Sequence, residues 1–172
     1  MTRAMETTEL SGVRAGSAPI AMLRITLGLI ILYTWFDNVR NDLYTSDGIS
    51  GFISWLFAEE GGNGSSLAFM ETLLDGVVAA NAGAFGAIQL VVEFLFGLSL
   101  LLGLFTRLGS LLACAFFATL FLAYFGGEEW IWTYVLLFMS SLTVFLGYGG
   151  RKLGVDQTLY ARRGDSPAGL LW

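Results

Sequence analysis

A single glutamate inside a long apolar stretch is the first candidate for chemistry in this chain. The segment AFGAIQLVVEFLFGLSLLLGLFTR covers residues 84–107, and Glu93 is its only charge before the final arginine. A helical projection places four small or polar residues on one stripe: Gly86, Gln89, Glu93 and Gly97. Lipid cannot satisfy Gln89 or Glu93, so this stripe is expected to face other helices. There the carboxyl group either pairs with a cation or stays protonated, and a protonated carboxyl can transfer a proton to a bound molecule.

The other charge inside an apolar stretch is Arg24, which shares a helix face with Gly28 and Trp35. At 1.5 Å per residue, Glu93 lies about 16 Å and Arg24 about 8 Å from the same membrane face, a difference that two extended side chains roughly bridge. We therefore predict that Arg24 and Glu93 form a pair. Two roles stay open for it: the pair fixes how the helices pack, or it carries a proton and holds a ligand.

Further polar and aromatic side chains on the apolar stretches predict a ligand pocket around Glu93. The predicted pocket residues are Gln89, Gly97, Trp35, Tyr134 and Ser141. Arg40 is set apart from them, because it is the only Lys or Arg in the first long loop.

The elements that must position these residues are membrane-spanning helices. The chain has 172 residues, of which 55% are hydrophobic and 13% charged, whereas soluble domains carry about 25% charged residues. Four apolar stretches approach the roughly 20 residues needed to cross a bilayer, and they are apolar nearly all round. They cover about 19–36, 82–104, 108–125 and 130–147. We predict an all-α polytopic membrane protein, a four-transmembrane-helix bundle that forms one membrane domain over 1–172.

The positive charges give the expected orientation in the membrane. Eight of the nine Lys and Arg residues fall on one side of a four-span arrangement: Arg3, Arg14, Arg24, Arg107, Arg151, Lys152, Arg162 and Arg163. Both termini are therefore expected in the cytoplasm, together with a tail over 148–172. Residues 38–81 are expected outside, as a cap with two short amphipathic segments, Ile49–Glu60 and Ser66–Ala80. The cap either seals the bundle end or acts as a lid over a ligand site.

The composition also excludes several classes of site and partner. With no histidine and one cysteine, the chain lacks the ligands of bis-histidine haem and of the usual zinc and copper sites. We expect neither haem nor a metal cofactor. The net charge of −5 argues against nucleic acid as a partner. Asn63-Gly64-Ser65 matches a glycosylation sequon, a match that a Gly-rich loop produces easily.

The order of these features resembles a known family. The run VVAANAGAFGAIQLVVEFLFGLSLLLGLFTRLGSL is similar to the DoxX/DoxD-like membrane proteins. The family has an Arg and a Gly in the first span, a Glu followed by a Gly in the second, a GlfTR turn, and a Gly-rich exit from span four that leads to an Asp. The matching positions here are Arg24, Gly28, Glu93, Gly97, Gly103 to Arg107, Gly147, Gly149 and Asp156.

The resemblance implies a four-helix membrane protein of a redox system. DoxD-like members are associated with thiosulfate:quinone oxidoreductase, which passes electrons from thiosulfate to a membrane quinone. On that basis Glu93 and Arg24 would be catalytic, the predicted pocket would bind quinone, and Arg40 would contact the substrate anion. The expected partners are the lipid bilayer and a partner redox subunit, and a homo-oligomer stays open. The alternative is a non-catalytic scaffold or assembly subunit of a larger membrane complex, so whether the chain is itself an enzyme stays open.

Overall fold

Helices form all of the regular structure in the part of the chain that the computed structural model describes, residues 17–166 and 169–172. They are α1 (Ala18–Arg40), α2 (Ser46–Phe57), α3 (Ala68–Leu73), α4 (Ala82–Leu102), α5 (Thr106–Ala123), α6 (Trp132–Leu146) and α7 (Val155–Arg163), with a 3-10 turn at Gly149–Arg151. The all-α prediction is confirmed over these residues.

Among the described residues, three helical stretches are long and apolar enough to cross a membrane. They are Ala18–Arg40, Ala68–Leu102 and Thr106–Ala123. Helix α6 is also apolar but has only 15 residues. At 1.5 Å per residue it covers about 22 Å, less than the hydrocarbon core of about 30 Å.

The helix that carries Glu93 begins earlier than the sequence indicates. Helix α3 continues into α4 through a π-turn at Leu74–Val78 and a 3-10 turn at Ala79–Asn81. The side chain of Asn81 donates to the carbonyl oxygen of Val77 at 2.9 Å, which supports the backbone at this junction. The second predicted cap segment, Ser66–Ala80, is therefore continuous with the membrane helix rather than separate from it.

Small residues set the contact between α1 and α4. A Cβ atom at Gly28 would collide with the backbone of Leu101, and one at Gly97 would press on the side chains of Ile31 and Leu32. The two helices therefore approach closely, as small residues permit in membrane bundles. Helix α6 packs extensively against α5 and α1 against α4, whereas α4 with α5 and α1 with α6 pack less extensively. The α4–α5 and α1–α6 seams are thus the more open sides of the bundle.

The segment 41–81 closes one end of the bundle. Ile49 and Ile53 of α2 pack against Ala82 at the start of α4, and Leu56 packs against Ala123 at the end of α5. Asn63 fixes the loop after α2, because its side chain and backbone carbonyl accept hydrogen bonds from the backbone N–H groups of Glu129 and Glu128. Asn63 is 1% exposed, so this fold hides the amide that a glycosylation site would have to present.

Candidate functional site

Glu93 lies at the centre of a small polar cluster in the bundle. It is 2% exposed, and its Oε2 atom accepts two hydrogen bonds, from the Tyr44 hydroxyl at 2.9 Å and from Gln89 Nε2 at 3.0 Å. Asn38 Nδ2 donates in turn to the Tyr44 hydroxyl at 3.3 Å. Within the described part of the chain the other carboxylate oxygen of Glu93, Oε1, accepts no hydrogen bond. One oxygen is therefore held in place while the second is free for a ligand.

The position of Tyr44 depends on a glycine two helical turns before Glu93. The backbone carbonyl of Tyr44 lies where a Cβ atom at Gly86 would be. The missing side chain lets the loop after α1 rest directly on α4, so that the Tyr44 ring reaches the carboxyl group. Burial raises the pKa of the Tyr44 hydroxyl. The hydroxyl is therefore protonated at neutral pH and acts as the donor to Glu93.

A large cavity opens beside this cluster. Its volume is about 870 Å³, within the range of about 300–1,000 Å³ that small-molecule sites occupy. Residues of α1, α2, α4, α5 and α6 line it, and Asn38, Tyr44, Gln89 and Glu93 lie at its polar side. The 41–81 segment covers it through Ile49, Phe52, Ile53 and Trp55 of α2. The cavity thus lies between the long helices and the segment that closes the bundle end.

An aromatic wall faces the remaining part of the cavity. The rings of Tyr124 and Tyr134 lie 4.9 Å apart, and Tyr124 also contacts Phe52 and Trp55 at 6.1 and 6.2 Å between ring centroids. All four residues line the cavity. These ring contacts form a continuous aromatic surface on this side of the cavity.

The electrostatics of the cavity are those of a site for a neutral molecule. Among its described lining residues, Glu93 is the only ionisable acid and there is no Lys or Arg. A dianion such as thiosulfate would meet a carboxyl group and no compensating cation. The remaining polar groups are amides and hydroxyls, which can donate to a carbonyl oxygen without requiring it to be charged.

Arg24 lies far from Glu93, so the predicted ion pair is wrong. The guanidinium is fully buried against Gly103 at the C-terminal end of α4, and its Nη2 donates to the carbonyl of Leu153 at 2.8 Å. Glu93 and Gly103 are ten residues apart on or directly after one helix, about 15 Å along its axis. Arg24 interacts electrostatically with Asp156 instead.

Asp156 connects the segment after α6 to the turn between α4 and α5. Its two carboxylate oxygens accept from the backbone N–H groups of Phe105 and Thr106, each at 2.8 Å. These N–H groups belong to the start of α5, where the first turn has no partners within the helix. Arg24 and Asp156 therefore hold α1, α5 and α7 together at the end of the bundle opposite the cavity.

Several predicted pocket residues serve helix packing instead. Gly97 lies against α1, Trp35 Nε1 donates to the carbonyl of Leu90 at 2.9 Å, and the buried Ser141 hydroxyl donates to the carbonyl of Leu137 at 2.8 Å. None of these three is among the lining residues of the cavity. Arg40 is exposed at the last turn of α1, where its guanidinium lies 5.8 Å from the centre of the Phe36 ring. The structure thus brings Gln89, Glu93 and Tyr134 to one cavity.

Sequence reasoning missed Asn38, Tyr44 and Tyr124. Tyr44 follows α1 in an irregular loop, where no periodicity assigns a side chain to a face. Asn38 lies in the last turns of α1, beyond the predicted end of the span. The one usable signal was Gly86, since a glycine beside Gln89 and Glu93 indicates close approach of another backbone.

The comparisons with known proteins give one result. A family model described as TQO small subunit DoxD matches residues 20–171. No curated protein matches the chain, and no solved structure does. The matched range includes the cavity, the Glu93 cluster and the Arg24–Asp156 region.

Proposed function

The chain belongs to the DoxD family, and from that premise we propose that it is the quinone-binding membrane subunit of a thiosulfate:quinone oxidoreductase. In this proposal the cavity beside Glu93 holds the quinone ring. Thiosulfate is the electron donor, and a partner redox subunit takes part in its oxidation and passes two electrons to the quinone. The chain described here contributes the binding site and a proton-transfer group.

The observation that carries the proposal is the match between the cavity and a quinone. A quinone is neutral, planar and largely apolar, with carbonyl oxygens that need hydrogen-bond donors. The cavity is large enough, largely apolar and free of cationic side chains among its described residues. Its polar side offers a carbonyl oxygen the carboxyl group of Glu93 and the second amide N–H of Gln89, while the Tyr44 hydroxyl donates to Glu93.

Glu93 would act as the proton carrier of the reaction. Reduction of a quinone to a quinol takes up two electrons and two protons. A protonated Glu93 can donate from its carboxyl group to the reduced carbonyl oxygen, and the resulting carboxylate then accepts a proton from water for the second transfer. Tyr44 and Gln89 keep the carboxyl group oriented by donating to Oε2 in its ionised form.

The proposal also fixes how the chain lies in the membrane. Helix α6 acts as the fourth span, and its shortness is accommodated by local thinning of the bilayer. The distribution of positive residues supports an orientation with both termini in the cytoplasm and the 41–81 segment outside. Arg40, at the outer end of α1, is then the candidate contact for the substrate anion, while the described residues Arg24, Arg107 and Arg151 lie near the opposite end.

Quinone binding to the purified protein tests the proposal. Val92 lines the cavity, whereas its neighbour Val91 is 54% exposed and does not. We expect Val92→Trp to fill part of the cavity and weaken quinone binding by roughly tenfold or more. Val91→Trp adds the same side chain on the outer surface of the helix and should leave the dissociation constant unchanged.

The result distinguishes the quinone-binding role of the chain from a scaffold role. Loss of binding in Val92→Trp but not in Val91→Trp supports the quinone site. If wild-type protein binds no quinone in detergent or in nanodiscs while it still co-purifies stoichiometrically with a partner subunit, the proposed site is wrong and the scaffold role is favoured.

A further inference from the structure

A second apolar depression runs along the seam between α4 and α5. It is a groove of about 380 Å³, and its walls are Leu95, Phe96, Leu98, Ser99, Leu102, Leu104, Phe105, Leu108, Gly109 and Leu112. Its only side-chain hydroxyl, that of Ser99, donates to the carbonyl of Leu104 at 2.7 Å. The groove therefore offers no free hydrogen-bonding group from its side chains.

The floor of the groove is a tight helix contact. Ser99 of α4 lies where a Cβ atom at Gly109 would be. The contact brings α4 and α5 together behind the groove, while Leu102, Leu108 and Leu112 remain between 41% and 48% exposed at its rim. The groove is thus closed at the Ser99–Gly109 contact and open toward the lipid.

The groove adjoins the cavity beside Glu93, because Phe96 and Leu112 line both spaces. On α5 a single face continues from one to the other, since Leu108 and Leu112 line the groove and Ala115 and Thr119 line the cavity. From Leu95 to Leu102 the groove covers about 10 Å along α4. A molecule with a polar ring in the cavity would pass into the groove with any apolar chain attached to that ring.

We propose that the α4–α5 groove is the binding site for the isoprenoid tail of the quinone, which enters and leaves through this seam. The inference rests on the proposed quinone site and adds the class of quinone that the site accepts, one with a long prenyl chain. Lipid already dissolves such a chain, so the hydrophobic effect contributes little to binding of the tail in the groove. Its contribution is shape: it provides a route by which the tail reaches the membrane while the ring stays beside Glu93.

Tryptophan substitutions at the rim test this route. Leu108 lines only the groove, Leu112 lies where groove and cavity meet, and Leu111 lines neither although it is 44% exposed. The measurement is equilibrium binding of two quinones with the same ring, one with a long isoprenoid chain and one with methyl in its place. We expect Leu108→Trp and Leu112→Trp to weaken binding of the tailed quinone by roughly tenfold or more.

The tail-free quinone and the Leu111→Trp control keep the test specific. Leu108→Trp should leave binding of the tail-free quinone unchanged, and Leu111→Trp should leave binding of both quinones unchanged. Unchanged binding of the tailed quinone in both Leu108→Trp and Leu112→Trp would overturn the inference and leave the ring site standing. The inference would also be overturned if Leu111→Trp weakened binding of the tailed quinone as much as Leu108→Trp does. Failure of wild-type protein to bind either quinone would instead reject the proposed function.

Discussion

The two oxygens of the Glu93 carboxyl group have different surroundings. Oε2 is held by Tyr44 and Gln89, while Oε1 accepts no hydrogen bond from the described residues. In the proposed function, this asymmetry would let one oxygen be positioned while the other exchanges a proton with the quinone. Tyr44 is then a positioning residue for Glu93.

Tyr44→Phe should therefore reduce turnover without unfolding the protein. The ring remains to pack in the cavity, but Glu93 loses the donor that holds Oε2. We expect quinone reduction to fall by roughly tenfold, corresponding to a lost hydrogen bond of about 1.5 kcal/mol. The matched control is Tyr33→Phe, since Tyr33 is 75% exposed on α1. Equal turnover in the two variants would show that the Tyr44 hydroxyl does not orient Glu93.

Arg24 and Glu93 should behave as independent residues. Because about 15 Å separates their positions along the bundle, the stability losses in Arg24→Leu and Glu93→Leu should add within about 0.5 kcal/mol. Arg24→Leu and Asp156→Asn should instead show a coupling of about 0.5–3 kcal/mol. Denaturant unfolding of the single and double variants in detergent measures both. A coupling between Arg24 and Glu93 as large as that between Arg24 and Asp156 contradicts the structure.

The sequence predicts the face of a helix better than the partner of a side chain. Helical periodicity correctly places Gln89 and Glu93 together, because four residues make about one turn. It contains no information on how far α1 is displaced along α4, and that displacement puts Arg24 level with Gly103. The role of Tyr44 could not be predicted for another reason, since the position of its side chain depends on a loop that rests on Gly86.

At the scale of the elements, the contact between α1 and α4 positions the site. Gly28 packs against the backbone of Leu101, and Gly97 packs against Ile31 and Leu32. This close approach fixes the axial register of the two helices. The same register places Asn38, at the end of α1, within reach of the Tyr44 hydroxyl.

Gly28→Ala should separate α1 from α4. The added methyl group would meet backbone atoms of Leu101, which cannot turn aside as a flexible side chain can. We expect a loss of about 1–3 kcal/mol of stability, measured by thermal or denaturant unfolding in detergent. Gly51→Ala is the matched control, because no atom lies within 4 Å of the added carbon. It should be neutral or stabilise α2 by up to about 1 kcal/mol. Equal stabilities of the two variants would contradict the packing described.

The extent of the elements could be anticipated only in part. Long apolar runs mark α1, α4 and α5, because only helices satisfy the backbone in lipid. The continuous helix from Ala68 to Leu102 was not anticipated, since the predicted cap segment ended at Ala80 and the predicted span began at residue 82. The π-turn at Leu74–Val78 and the 3-10 turn at Ala79–Asn81 join the two without ending the helix.

At the scale of the whole molecule, the cavity and the Arg24–Asp156 region lie at opposite ends of one bundle. The proposed orientation places the cavity toward the outside and Arg24 toward the cytoplasm. The charges that stabilise the fold are thereby separated from the group that would handle protons. Substitutions in one region are expected to leave the chemistry of the other intact.

Labelling of engineered cysteines tests this orientation. Glu60 and Arg163 are both exposed, and the native Cys114 is buried. In intact cells we expect a membrane-impermeant thiol reagent to label Glu60→Cys, and to label Arg163→Cys only after the cells are permeabilised. The unsubstituted protein controls for reaction at Cys114. Labelling of both cysteines from the same side would contradict the four-span arrangement.

The most direct test of the central claim is Glu93→Gln. The amide oxygen can still accept from Tyr44 and Gln89, and no ion pair with Arg24 is lost, so the account predicts wild-type yield and melting temperature. An amide cannot cycle a proton, so quinone reduction in membranes that contain the partner subunit should fall by about a hundredfold or more. Glu71→Gln, at an exposed position on α3, should have no effect. Wild-type turnover in Glu93→Gln would contradict the account.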